Sequence, residues 1–534
     1  MLTRVLNSVP TSSSSPARFG WDAEKLSPFL LALLIAYAAI RSIYQAASRP
    51  FWFDEICTII VTRQQTIPAM WSALQHGADG QPLGFYLVER LASRLVANQE
   101  IAFRIPSIAG FLVTIVCLFV LIRREHGGAV ALFCASIPLV TILYSFYAIE
   151  ARPYSLLVAC IAFAVLCYQR APAIRWTVLL GFSLALAQCL NYYAVLCFVP
   201  FVLAELASLL AERKVRWGVW MALACGCLPL AASWPFLSLL QRIYGQHFWA
   251  QPSLLLAEES YGHYFNQDFS TGKILVGTAA VAVLCKMLFE QRRTAGSERP
   301  THTAIHKPII ILMILALPFI GYFAAILGHG GMTARYMLPT VLGFPLALGY
   351  TLPPLGRKSG TLVLGATLVF LAVFLGPQKE PFWPLDRSSA PFSSPADLVQ
   401  NLVRSASHDD LPVVVSDPHD FLQIAQYASP ELGERLVSVI DPPESVVYVG
   451  NDTADKQLAI LRSYAPLQIY DFQSFTAEHP VFLLYSGSGG LGLDWWPRRL
   501  QQDGYTLRSV AFRPISEHDY LHRVMLVSRT KDSD

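Results

Sequence analysis

The sequence predicts a polytopic α-helical membrane protein of about eleven transmembrane helices, followed by a soluble α/β domain at the C-terminal end. Three observations carry this reading. Of 534 residues, 54% are hydrophobic and only 14% charged, against roughly 25% charged in an average soluble protein. Apolar stretches long enough to cross a ~30 Å hydrocarbon core recur up to about Gly376. Beyond that point the composition turns polar, and short apolar strands alternate with amphipathic helices. The net charge of +3 is too balanced to argue for a nucleic-acid partner.

Each segment follows from its composition. Residues 1–27 are polar and Ser-rich, too long and too poor in flanking charge for an ordinary cleaved signal peptide. They are expected to form a cytoplasmic N-terminal segment, with the first span retained. The apolar windows lie at roughly 28–47, 105–122, 129–147, 153–169, 176–191, 193–211, 217–239, 274–290, 308–327, 336–353 and 361–376. Orientation follows from the short basic loops: Arg123/Arg124, Arg170/Arg175, Arg213/Lys214/Arg216, Arg292/Arg293/Arg299/Lys307 and Arg357/Lys358 all fall on one side in this scheme. By the positive-inside rule that side is cytoplasmic. The opposite face receives the long first loop, 48–103, the turns near Glu150–Tyr154, Tyr192–Tyr193 and His329–Arg335, an aromatic-rich loop at 241–273, and everything after Gly376. The expected units are therefore a membrane domain at 28–376 and an extracytoplasmic α/β domain at 377–534. In the latter, Val413–Ser416, Val481–Tyr485 and Arg523–Val527 read as strands and Asp455–Tyr464 as a helix.

Cysteine says little about compartment. Nine of ten cysteines lie in apolar runs, where the side chain acts as a small hydrophobe, and only Cys57 stands in a loop. No pair has zinc spacing. His302 and His306 have helical spacing but fall in an expected cytoplasmic linker. The run Ser486–Gly492 follows a strand but lacks the Gly-Lys-Ser/Thr ending of a phosphate loop, and reads as a flexible turn.

The chemistry concentrates on the extracytoplasmic face. Phe51, Trp52 and Phe53 precede the adjacent carboxylates Asp54 and Glu55 directly after the first span. Such a pair is either a solvated acidic patch under an aromatic belt or the source of a general base. Asp79, in a Gly- and Pro-rich turn, is either a second site carboxylate or a turn initiator. Arg104, Arg152 and Arg335 stand at helix mouths on this same face. One alone would read as a snorkelling side chain. Three converging on the carboxylate face favour a binding site, and a planar guanidinium suits a phosphate.

These pieces, in order, resemble the GT-C superfamily of polytopic glycosyltransferases, and within it the bacterial members related to protein O-mannosyltransferases and to the lipid A aminoarabinose transferase. The matching segments are Phe53-Asp54-Glu55, Gln81-Pro82-Leu83-Gly84-Phe85-Tyr86, Phe103-Arg104-Ile105-Pro106-Ser107, Glu150-Ala151-Arg152-Pro153-Tyr154 and Ala334-Arg335-Tyr336-Met337-Leu338-Pro339. They span about residues 28–350. The resemblance implies a GT-C fold in the bacterial inner membrane. It also implies inverting transfer of a sugar from a polyprenyl-phosphate donor to a lipid, glycan or protein acceptor of the cell envelope. By position, Asp54 would be the catalytic base and Glu55 its acidic neighbour. Arg104, Arg152 and Arg335 would hold the donor phosphate, Glu150 would orient Arg152, and Asp79, Tyr154 and Tyr336 would complete the substrate site. Gln81 stands where a His is common and one of two prolines is missing, which puts the acceptor side in question. Relatives in this branch generally manage without a metal and no ligand set is legible here, though the family is mixed and a divalent cation stays open. The competing reading is a transporter or flippase of a lipid-linked or anionic substrate. Against it stand the lack of an internal repeat and the placement of the charged motifs on one face, away from mid-membrane. A sensor or scaffold acting through its tail would leave the loop carboxylates incidental.

Overall fold

A computed structural model describes residues 23–265, 269–294, 303–353, 357–375, 395–408, 410–487, 493–513 and 522–529. The expected N-terminal segment falls almost entirely outside these residues, as do the boundary near 377, His302 and most of the Ser486–Gly492 run.

The membrane half opens with α1 (Ala23–Ser48), a 26-residue apolar helix. Four short helices follow on the outer face: α2 (Phe53–Thr62), α3 (Ile67–Gln75), α4 (Leu83–Ala92) and α5 (Gln99–Ala102). Next come α6 (Ile105–Val140), α7 (Ile142–Tyr147), α8 (Tyr154–Tyr168) and α9 (Ile174–Leu190), then α10 (Phe198–Glu212) and α11 (Trp217–Tyr244). The half closes with α12 (Leu254–Phe265), α13 (Phe269–Thr294), α14 (Thr303–Leu315), α15 (Leu317–Gly328), α16 (Gly343–Thr351) and α17 (Arg357–Leu375).

Among the described residues, five helices are long and apolar enough to cross a membrane, and a sixth crossing results if the bent pair α14–α15 is one span. The other expected spans fall on shorter helices, of which α8, α9 and part of α17 are apolar. The run α6 holds the expected span 105–122 and most of 129–147, broken at Gly127, whose φ of 81° is a left-handed conformation open to glycine. Glu24 at the start of α1 secures that break, accepting from Gly128 N at 2.6 Å and from Arg123 Nε at 2.8 Å. The span expected at 308–327 is instead bent by 63° between α14 and α15. Pro318, at the start of α15, has no N–H to continue the upstream ladder. His306, expected in a linker, is buried in α14 with Nδ1 2.5 Å from Ser208 Oγ.

Burial sorts these helices. Only 22%, 17% and 22% of the apolar windows of α1, α11 and α13 are buried within the protein, against 67% for α6. Apolar helices left this exposed need a lipid surround; α6 is the central one.

The C-terminal unit begins with α18 (Pro395–Ser405) and holds a six-stranded sheet. Its strands are β1 (Val413–Val415), β2 (Leu436–Ile440), β3 (Ile469–Asp471), β4 (Val481–Ser486), β5 (Tyr505–Arg513) and β6 (His522–Arg529), in the order β3-β2-β1-β4-β6-β5. The first four are parallel; β6 and β5 run antiparallel at one edge. The interior strands β1 and β2 are wholly buried, as parallel strands covered on both faces must be. Helix α19 (Pro418–Tyr427), directly after β1, packs against α2 of the membrane half.

Candidate active site

The chain leaves α1 at Ser48 and turns into α2 through Arg49–Trp52. Trp52 caps α2 in an extended conformation, and Glu55, three residues on, reaches back so that Oε2 accepts from Trp52 N at 3.2 Å. Both Asp54 and Glu55 thus lie in the first turn, where the helix dipole favours negative charge. Their surroundings then diverge.

Glu55 is wholly buried and saturated. Oε1 accepts from Arg104 Nε at 2.8 Å and from Ala151 N at 2.8 Å, and Oε2 accepts from Arg104 Nη2 at 2.7 Å. Arg104, equally buried, donates further to Ala46 O at 2.7 Å, Arg49 O at 2.6 Å and Pro50 O at 3.1 Å. All five guanidinium N–H groups are therefore spent inside the protein. Burial works against the charge of Arg104, but Glu55 outweighs it and holds the guanidinium pKa above its ordinary value. Arg104, expected to hold the donor phosphate, has no guanidinium donor left over in this structure. Glu55 likewise has both oxygens engaged in the α1–α2 turn and its neighbours.

Asp54 faces the other way. Its Oδ2 accepts from Arg335 Nη1 at 2.8 Å, and the two side chains keep 16% and 11% exposure. Burial pushes the Asp54 pKa up, but Arg335, Arg152 and His419 together hold it below 3.8, so the group stays a carboxylate. The Arg335 guanidinium lies 5.2 Å from the Trp249 ring, 5.8 Å from Tyr336, 5.9 Å from Trp52 and 6.0 Å from Tyr154. Its buried Nε has no hydrogen-bond partner. Tyr336 stacks on Tyr193 at 4.1 Å.

Arg152 completes the cluster. Nη1 donates to Asp79 Oδ2 at 2.7 Å, Thr58 Oγ1 at 3.0 Å and Asp54 O at 3.2 Å, while its buried Nε has no partner. Asp79 bonds on both sides: Oδ1 accepts from Gly80 N at 2.7 Å in the turn, and Oδ2 holds Arg152. Glu150, expected to orient Arg152, meets it through the backbone, its O accepting from Arg152 N at 2.8 Å, while its side chain turns elsewhere. Glu150 Oε1 accepts from Arg49 Nη2 at 3.0 Å, and Asp79 holds Arg152 in its place. Burial, with Glu55 and Asp54 nearby, pushes the Glu150 carboxyl up to about 8 despite Arg49. The Tyr154 hydroxyl is buried without a partner, its ring edge-on to Tyr147 at 4.8 Å.

The structure thus brings Asp54, Asp79, Arg152, Tyr154, Arg335 and Tyr336 to one place beside the sealed Glu55–Arg104 pair. It adds groups that sequence reasoning missed. Trp249 and Tyr193 come from the aromatic-rich loop and the Tyr192–Tyr193 turn, both visible as aromatic clusters on the outer face. Glu89 of α4 is buried with both oxygens unpartnered, its pKa pushed well up by burial and by Glu55. His419, from the C-terminal unit, stands edge-on to Phe53 at 4.4 Å. Among the described residues, no group of three His, Cys, Asp or Glu side chains could hold a metal ion.

Residues 79–238 match the family model described as dolichyl-phosphate-mannose-protein mannosyltransferase. No curated protein matches the chain in sequence. The fold is similar to that of ArnT from Cupriavidus metallidurans bound to undecaprenyl phosphate, with TM-score 0.52 and 14% identity, over 93% of this chain and 98% of that one. The archaeal oligosaccharyltransferase AglB from Archaeoglobus fulgidus matches with TM-score 0.43 and 9% identity, over 95% of this chain and 75% of that one.

Proposed function

We propose that this chain, a multi-pass membrane protein of the GT-C superfamily related to the protein mannosyltransferases and the lipid A aminoarabinose transferase, is an inverting glycosyltransferase. It moves a sugar from a polyprenyl-phosphate donor to a lipid, glycan or protein acceptor outside the cytoplasm. In this reading the chain crosses the bacterial cytoplasmic membrane about eleven times. The loop 48–103 and the unit from 377 onward then lie on the extracytoplasmic side.

The observation that carries the proposal is the Asp54–Arg335 pair, a partly open carboxylate and guanidinium inside a ring of four aromatic side chains. Arg335 and Arg152 each keep an unpartnered donor, where Arg104 has none. The donor phosphate sits against these two guanidinium groups, with the aromatic rings along the sugar or the first prenyl units. That ArnT, which shares the fold, was solved with undecaprenyl phosphate supports a lipid phosphate as the ligand.

Asp54 takes the acceptor's proton as the acceptor oxygen or nitrogen forms its bond to the anomeric carbon. The bond from that carbon to the phosphate oxygen breaks on the opposite face. Polyprenyl phosphate departs with its new charge already met by guanidinium. A carboxylate held below 3.8 is a weak base, and the arrangement addresses this directly. A phosphate that competes for Arg335 loosens its hold on Asp54, so donor binding itself raises the basicity of the group that must act next. All of these steps use side chains alone, and turnover is expected to survive chelation by EDTA.

The test is release of free polyprenyl phosphate by purified, reconstituted protein offered a panel of polyprenyl-phosphate sugars and crude membrane acceptors. Release that disappears in Asp54→Asn supports the assignment and names the donor. No release with any donor from folded wild-type protein would sink it.

A further inference from the structure

Several polar groups of the C-terminal unit bond directly to the membrane half. On α19, His419, Gln423 and Tyr427 are spaced by four residues and so share one helix face. That face is laid on the segment leading into Asp54. Gln423 Nε2 donates to Phe51 O at 2.9 Å, and Phe51 N donates to Tyr427 Oη at 2.9 Å, so both backbone groups of Phe51 are held by α19. Tyr427 Oη donates in turn to Glu100 Oε1 at 3.2 Å. Further contacts fix the same docking. Gln457 Nε2 donates to Ala78 O at 3.3 Å, and Trp249 N donates to Thr453 Oγ1 at 3.1 Å, which ties a wall of the Arg335 ring to the C-terminal unit.

With the register set by Phe51, the third member of the face comes down on Phe53, the residue before Asp54. The His419 ring meets Phe53 edge-on, centroids 4.4 Å apart at 84°, and its charge couples to Asp54. Nδ1 is buried, makes no hydrogen bond, and lies 3.6 Å from Asp417 Oδ1. Asp417 in turn caps α19, accepting from His419 N at 2.8 Å. An imidazole backed by one carboxylate and packed on the residue before Asp54, but not in direct contact with it, is placed to take a proton through one intervening water and pass it to solvent.

Resting on the glycosyltransferase reading, we propose that the C-terminal unit completes the active site, with His419 as a positioning residue that takes from Asp54 the proton gained from the acceptor. The acceptor's O–H or N–H bond breaks and the proton goes to Asp54. It then passes through an intervening water to the neutral imidazole, giving an imidazolium beside Asp417 and restoring the Asp54 carboxylate against Arg335. The imidazolium loses the proton to water. The charged groups around His419 are Asp54 from α2, Arg335, the helix cap Asp417, whose carboxyl burial pushes up to about 6, and Asp420 from its own helix. Burial lowers the His419 pKa below 6.5, aided by Arg335, while Asp54 and Asp420 act in the other direction. The ring is therefore neutral at pH 7 and free to accept.

The experiment compares wild type, His419→Gln, His419→Phe and His419→Ala in the polyprenyl-phosphate release assay across pH, with melting temperature and donor KM recorded for each. The expected result is a roughly 10- to 100-fold fall in kcat for all three at pH 7 with donor KM unchanged. Imidazole in the buffer should restore part of the activity of His419→Ala. The wild-type profile should fall on the acid side below 6.5, as His419 takes a proton, and this limb should move to lower pH in His419→Gln. Full activity in His419→Phe would make the ring a packing element and overturn the proposal. A folded His419→Ala that imidazole leaves unchanged would overturn it too. An inactive wild type would instead bring down the transferase reading beneath it, whereas an active wild type matched by His419→Gln refutes the relay alone.

Discussion

Asp54 and Glu55 are neighbours in the chain and each is paired with an arginine, yet the two pairs are opposites. The Glu55–Arg104 pair is fully buried, and every donor of its guanidinium is bound, three of them to the carbonyls of Ala46, Arg49 and Pro50. The Asp54–Arg335 pair has one hydrogen bond, an unpartnered Nε and a window to the outside. Saturation is what separates them. A guanidinium whose five donors end on the protein holds a turn in place; one with donors to spare can hold a substrate. The first pair fixes the angle at which α2 leaves α1, and so aims the second.

The comparison can be broken at either pair. The largest effect is expected from Asp54→Asn, which keeps shape and removes the base: turnover should fall about 10²- to 10⁴-fold, far more than the modest loss of stability from removing the charge partner of Arg335 accounts for. A variant that retains wild-type release would assign the base elsewhere. Arg104→Ala should act the other way, leaving Glu55 as a buried carboxylate without its cation. Breaking such a pair costs about 3–5 kcal/mol, read as a lower melting temperature and poor yield of folded protein. If Arg104→Ala folded normally and lost only donor affinity, the sealed pair would be part of the site after all. Arg335→Lys sharpens the contrast at smaller scale. It keeps the charge but loses the planar fork, so donor KM should rise about tenfold in the release assay, with melting temperature unchanged.

Which parts of this were legible in the sequence follows from range. The aromatic approach to Asp54, the arginines at helix mouths and the apolar windows are local patterns, and the structure places them as helices and as one cluster. So are the apolar runs of β1, β4 and β6. The division of labour between Asp54 and Glu55 is not local, because it depends on three carbonyls at the end of α1 and an amide at Ala151. Glu150 next to Arg152 invites pairing within the motif, but Arg152 instead meets Asp79 across the fold. His419 lies in another unit altogether. Its only sequence trace is the four-residue spacing with Gln423 and Tyr427, which shows a shared face and not what the face touches. The bend before α15 was hidden because a proline at the start of a helix reads as well as one inside a span.

A third buried carboxylate extends the comparison to the smallest expected effect. Asp455 in the C-terminal unit is as buried as the site residues, and it accepts from Asp441 N at 2.9 Å, but its charged neighbours are the carboxylates of Asp441 and Asp452. Burial, with those neighbours, pushes its pKa up to about 7, the reverse of Asp54. Between 3.8 and about 7 the folded chain holds a proton here that the unfolded chain releases. Stability from this group is therefore full below 3.8 and declines as pH rises through that interval. Asparagine keeps the carbonyl that accepts from Asp441 N and has nothing to ionise. Asp455→Asn should accordingly raise stability at pH 8 by on the order of 1 kcal/mol, or roughly 2–4 °C in melting temperature, with the gain fading toward pH 4. The same scan applied to Asp54→Asn should show the opposite slope, the variant losing ground above pH 4, where wild type holds a carboxylate against Arg335. Parallel curves for the two variants would mean that the cations around Asp54 do not set its charge.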